Sequence, residues 1–266
     1  MQLEPQYIGQ SRVYNITSIM TFGGEPLLYP EITCRIHKKA YELNIPSRQI
    51  ITNAYWTKDI NKIERTVRML KESYVNNICI SVDAFHQKYL PFDHVKETVK
   101  KFIEQKFDII KLNPCWIDCP EGDNEYDDKT RKIINEISEL GIGTTEGNIM
   151  SPNGNSITNF PDNFKRKLNF FGMNCTDIPY SDYPNNIESI CLNSDCSVSI
   201  CNGEKYTVPD FIYNYDPYKE KGLASVISGG IDLLIEEAKK ENVLCDPRGY
   251  FSLCALCTDL RKRMIK

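Results

Sequence analysis

Histidine is scarce in this sequence. Only three occur in 266 residues, His37, His86 and His94, too few for a metal centre built mainly from imidazole. Tryptophan is limited to two residues. No apolar run reaches the ~18 residues that a membrane span requires. Neither sign of charge dominates: 32 Lys and Arg stand against 36 Asp and Glu, a formal net charge of −4. The basic stripe that marks a nucleic-acid surface is therefore missing, and the final RKRMIK reads as the solvated end of a helix. The opening MQLEPQYIGQ has no charged-then-apolar leader. The protein is expected in the cytoplasm, bound to neither nucleic acid nor membrane.

Cysteine, by contrast, is plentiful. The 11 cysteines are about 4 % of the chain, below the roughly 8–10 % of a disulfide scaffold, and their number is odd. In a reducing compartment such thiols are buried, ligate metals or catalyse. The length suits one large domain, or one domain with a modest appendage.

Five short apolar runs, each followed by a polar turn, read as strands. They are Ser18–Phe22, Arg48–Thr52, Asn77–Val82, Asp108–Leu112 and Gly141–Thr145, spaced at roughly 30 residues, the length of one strand–helix unit. Between them run helical stripes: Ile60, Ile63, Val67 and Leu70; Val95, Val99, Phe102 and Ile103; Ile133, Ile137 and Leu140. Pro30 opens a helix ending near Leu43, and residues 1–17 are expected to form the first helix. Alternation at this spacing predicts an α/β fold with a parallel sheet, doubly wound or barrel-like. Chemistry in such folds gathers at the carboxyl ends of the strands. That rule nominates Gly23–Glu25, Asn53, Asp83–His86, Asn113 and Glu146–Asn148.

The rhythm changes near Cys175, and a boundary is expected between residues 172 and 185. This divides the chain into a domain of residues 1–174 and a smaller one of 175–266. The smaller part holds an Asn202-Gly203 hairpin signal, a helix over Leu223–Lys240 loosened at Gly229-Gly230, and another from Tyr250 to the end. Besides Cys175 at the boundary, six cysteines gather there: Cys191, Cys196, Cys201, Cys245, Cys254 and Cys257.

The sharpest motif is TFGGEPLLYPE, Thr21 to Glu31. Two glycines directly after a strand let backbone approach a ligand, and the carboxylate of Glu25 can take a cationic amine. A tight turn capped by its glutamate is the plainer alternative. The stretch resembles the GGEP motif of radical S-adenosylmethionine (SAM) enzymes. IITNAYW (Ile50–Trp56), ISVDAFHQ (Ile80–Gln87) and NIMSPNGNS (Asn148–Ser156) resemble later strand ends of that family, with Asn155 where an arginine is usual. The resemblance implies that Gly23, Gly24 and Glu25 hold the SAM amino group and Ser81 its carboxylate, with Asp83 on the ribose or substrate. His86 reads equally as a helix-capping imidazole, and Asn53 as a turn former.

The resemblance further implies a partial (β/α)6 TIM-like barrel lacking its first strand, followed by a small cysteine-bearing domain. The family's CxxxCxxC loop, whose thiolates hold a 4Fe-4S cluster, has no counterpart: no cysteine precedes Gly23. Cys115-x3-Cys119 has the spacing of two such ligands but follows another strand, and Cys34 and Cys79 read as core thiols. The C-terminal cysteines resemble the SPASM or twitch auxiliary-cluster domains. That implies metal ligation by Cys191, Cys196, Cys254 and Cys257, with iron–sulfur ranked above zinc; Val208 stands where that pattern would place a ligand. The implied function is reductive cleavage of SAM to a 5′-deoxyadenosyl radical acting on a peptide or protein substrate, with an electron donor, in a chain shortened at its start. A non-catalytic relative that binds a peptide or partner is the alternative, and a zinc-bearing α/β protein unrelated to SAM is a third.

Overall fold

Short β-branched runs extend and pair because their side chains pack well on a pleated surface. In the computed structural model these runs form one five-stranded sheet of β3 (Ser18–Thr21), β4 (Ser47–Thr52), β5 (Asn77–Ile80), β6 (Ile109–Leu112) and β8 (Gly143–Thr144). The order is β3-β4-β5-β6-β8 with every pair parallel. The structure describes residues 5–8, 11–117, 119–150, 170–177, 182–200, 205–250 and 252–265. Contacts divide the chain into two compact units, residues 16–150 and residues 1–15 with 151–266.

In the unit of residues 16–150, helices return the chain between strands: α1 (Pro30–Glu42), α2 (Ile60–Glu72), α3 (Phe92–Glu104) and α4 (Glu125–Ser138). Their ends follow local chemistry. Pro30 takes the first turn of α1, where its missing N–H costs no bond. Asp59 caps α2 by accepting from Asn61 N at 3.0 Å, and Asn124 caps α4 through Tyr126 N and Asp127 N. The apolar stripes face the sheet: Ile63, Val67 and Leu70 of α2 and Val95, Val99 and Phe102 of α3 are all buried. They join Ile50, Ile78, Ile80 and Leu112 from the strands in one core. Two further strands, β7 (Cys115–Trp116) and β9 (Asn148–Ile149), pair in parallel just beyond β6 and β8. β3 has a strand partner on one side only among the described residues.

The other unit opens with an antiparallel hairpin, β1 (Pro5–Ile8) and β2 (Ser11–Tyr14), in the register Ile8↔Ser11. This corrects the expectation of a helix over residues 1–17. Pro5 and Gly9 interrupt any helical stripe there. Further on, β10 (Cys191–Leu192) and β11 (Val198–Ser199) pair antiparallel. An isolated bridge joins Val198 to Tyr206 on either side of the Asn202-Gly203 signal, itself outside the described residues. Among the described residues three helices complete the unit: α5 (Val208–Asn214), α6 (Leu223–Lys240) and α7 (Leu253–Met264). The expected loosening of α6 is a kink: Gly229 and Gly230 leave helical geometry, Gly230 with φ +66°. There Ile231 N donates to Met173 O at 3.1 Å. Leu234 and Ala238 of α6 pack with Leu256 and Leu260 of α7.

Candidate functional site

Every strand of the parallel sheet ends in a turn rich in polar atoms, and these turns are tied to one another. After β3, Gly23 and Gly24 take φ +89° and +57°, with open space where a Cβ would point. Glycine enters this left-handed region without the cost that a side chain brings. The turn delivers Glu25, whose Oε1 accepts from Leu27 N (2.9 Å) and Thr52 Oγ1 (2.8 Å), and whose Oε2 accepts from Asn53 N (2.8 Å). These bonds display the capping alternative. Glu25 closes the turn over Pro26–Leu28 and locks β3 to the end of β4. A carboxylate has about four lone-pair positions, and one on Oε2 is left over. Burial raises the Glu25 carboxyl above its usual value, against the lowering effect of those donors and of the charge on His86.

At the end of β4, Asn53 Oδ1 accepts from Tyr55 N at 2.9 Å, which is the turn-forming role expected of it. At the end of β5, Asp83 is completely buried. Its Oδ1 accepts from Phe85 N and His86 N, both at 2.9 Å. Its Oδ2 accepts from His86 Nδ1 at 2.8 Å and Cys115 N at 3.1 Å. Asp83 therefore staples β5 to β7 and orients an imidazole. Its carboxylate has no solvent exposure, and the group it holds toward the surface is His86. Ser81 is half-buried, with its N–H donating to Thr52 O at 2.8 Å.

Beyond β6 and β8, Thr145 Oγ1 donates to Asn113 Oδ1 at 2.9 Å, and Trp116 Nε1 donates to Glu146 O at 2.9 Å. Gly147, at φ +80°, lies where a Cβ would come within 2.6 Å of Pro114 O. The sequence rule thus located the strand ends, but it did not show which carboxylate stays free. That depends on backbone donors supplied by neighbouring strands.

Among the described residues the thiols near this mouth are not grouped with further ligand side chains. Cys115 is pushed far up by burial and by the carboxylates of Asp83 and Asp127, the reverse of what a thiolate ligand needs. Cys34 and Cys79 are buried in the core region, as expected.

In the other unit, Cys191 sits on β10, Cys196 is exposed in the turn before β11, and Cys254 and Cys257 lie in the first turns of α7. Cys254 and Cys257 line a cavity of ≈ 190 Å³ together with Cys175, a residue that no spacing motif singled out. Among the described residues no three His, Cys, Asp or Glu side chains are grouped so that they could hold a metal ion. Cys201 lies outside those residues.

Fold and site together define an α/β protein with a polar, strand-end mouth on a parallel sheet, the place where such folds bind small molecules. No protein-family model matches the chain, and no curated protein matches it in sequence. No helix of the described residues is long and apolar enough to cross a membrane.

Proposed function

We propose that the chain is a radical SAM-related protein whose strand-end mouth holds the methionine end of SAM. The observation that carries this reading is Glu25. A glutamate delivered by two left-handed glycines at a parallel strand end, tied by three donors yet keeping one acceptor position, suits an α-ammonium group. The consecutive strand order, with α1 beside α2 and α2 beside α3, supports a barrel-wall arrangement of the kind the motif resemblance implies.

SAM bound to such a family member is the source of a 5′-deoxyadenosyl radical once an electron is delivered through a cluster, and a peptide or protein substrate would then be acted on. Among the described residues neither the mouth nor the C-terminal cysteines bring three such side chains together for a metal ion. The chain's own part is therefore binding and orientation. Glu25 fixes the ammonium, Gly23 and Gly24 leave the ligand room beside the backbone, and Asp83 with Thr52 keeps the strand ends in register.

Equilibrium dialysis with labelled SAM tests the reading. Glu25→Gln keeps the shape and removes the charge, and it is expected to weaken SAM binding about tenfold, the loss of a half-exposed charge-assisted hydrogen bond. Wild-type protein that takes up no SAM, or Glu25→Gln protein that binds it equally well, would refute the assignment.

A partner-binding role without catalysis is the second reading, and one observation favours it. Among the described residues β3 pairs on one side only, and Met20 and Phe22 are 42 % and 53 % exposed, an edge that a partner's strand could extend.

A further inference from the structure

His86 is the ionisable group at the mouth that the SAM reading leaves without a role. Its Nδ1 lies 2.8 Å from Asp83 Oδ2. Asp83, fully buried and accepting three backbone N–H groups besides, cannot turn away. Such a partner holds the proton on Nδ1 and leaves Nε2, across the ring, for a ligand. The His86 side chain is 36 % exposed, so that nitrogen can be reached. Glu25, from the end of β3, lies within electrostatic range of the ring. The mouth thus sets one fixed anion and one imidazole near each other.

We propose that His86 binds the α-carboxylate of the ligand while Glu25 binds its α-ammonium, so that the mouth recognises the zwitterionic head of an amino acid, here the methionine end of SAM. The inference rests on the SAM reading and assigns to His86 the carboxylate that the family resemblance assigns to Ser81. A charge-assisted bond from an imidazolium outweighs a hydroxyl contact roughly twofold.

The ionisation of the ring supports this. Burial alone would lower His86, but the hydrogen bond from its ring to Asp83 and the charges of Asp83 and Glu25 outweigh burial and raise it above the usual imidazole value. Asp83 and Glu25 are the charged groups that act on the ring, and both favour its cation. The imidazolium therefore persists to higher pH than an ordinary imidazole would hold it, and is lost as pH rises through the raised value.

The test compares SAM with decarboxylated SAM by isothermal titration calorimetry on the full chain, wild type and His86→Gln. For SAM, His86→Gln is expected to raise Kd about ten- to thirtyfold, the range of one charge-assisted hydrogen bond at a part-exposed site. Decarboxylated SAM, which lacks the group His86 would hold, is expected to bind both proteins within about twofold. Wild-type affinity for SAM should also fall as pH rises through the raised His86 value, a dependence that His86→Gln removes and that the decarboxylated ligand does not show in either protein. Equal losses for the two ligands, no loss for either, or parallel pH profiles would overturn the role of His86 while leaving SAM binding in place. Wild-type protein that binds neither ligand would overturn both the SAM reading and this inference.

Discussion

Replacing Asp83 by alanine is expected to remove about 3–5 kcal/mol of folding stability, the range for breaking a buried charge pair. The size follows from what the carboxylate touches. Phe85 N, His86 N and Cys115 N all end on it, and so does the His86 ring. Alanine leaves those donors without acceptors at a position with no solvent exposure, and each stranded donor costs about 1–3 kcal/mol. Asp83→Asn is expected to fare little better. Its amide can accept on one side only and would turn an NH₂ toward Cys115 N–H and the His86 ring. Urea unfolding at pH 7 measures both losses, and a drop below about 1 kcal/mol for Asp83→Ala would show that water replaces the carboxylate. A second readout is specific to the pairing. In Asp83→Asn the His86 imidazole loses the partner that raises it, so its titration, followed by NMR, moves to lower pH.

The frame around this cluster was legible in the sequence because hydrophobic periodicity survives single exceptions. Ile63, Val67 and Leu70 mark the buried face of α2, and Ile78, Cys79 and Ile80 mark a strand covered on both sides. The positions nominated at the strand ends do carry the linked polar groups. The roles within the cluster were less legible. Whether Asp83 or His86 meets a ligand turns on the Cys115 N–H, a donor 32 residues away that arrives only once β5 and β7 are side by side. The N-terminal strands are illegible for a local reason: no alternating pattern there is long enough to count, and Pro5 and Gly9 mark interruptions rather than strands. Cys175 joins the Cys254 and Cys257 wall through the packing of residues 170–177 on the Gly230 kink. No spacing rule describes that contact.

Acid is expected to weaken the fold through His37, by about 2.5 kcal/mol between pH 7.5 and pH 4.5. His37 lies on the inner face of α1, fully buried. Its Nε2 shares a hydrogen bond with Thr21 Oγ1 at 3.0 Å, while its Nδ1 is buried without a partner among the described residues. Among the described residues no acidic group offsets a charge there. Burial, assisted by the positive charge of Arg48, lowers His37 from 6.5 to about 4.

The sign follows from the two states. Above pH 6.5 the ring is neutral in both folded and unfolded chains, and its contribution to stability is fully present. Below 6.5 the unfolded chain takes up a proton that the folded chain refuses until about pH 4, so stability falls at about 1.4 kcal/mol per pH unit. Other groups also titrate in this window, Glu25 and His86 among them, with raised values that act in the opposite sense. The measurement is therefore the difference between wild type and His37→Gln, followed by urea unfolding across the pH range. His37→Gln keeps a donor for Thr21 and has no proton to gain. It is expected to be the less stable protein at pH 7.5 and to lose about 2.5 kcal/mol less than wild type by pH 4.5. Parallel curves would mean that the ring accepts a proton inside the folded core, which would require α1 to part from β3 at Thr21.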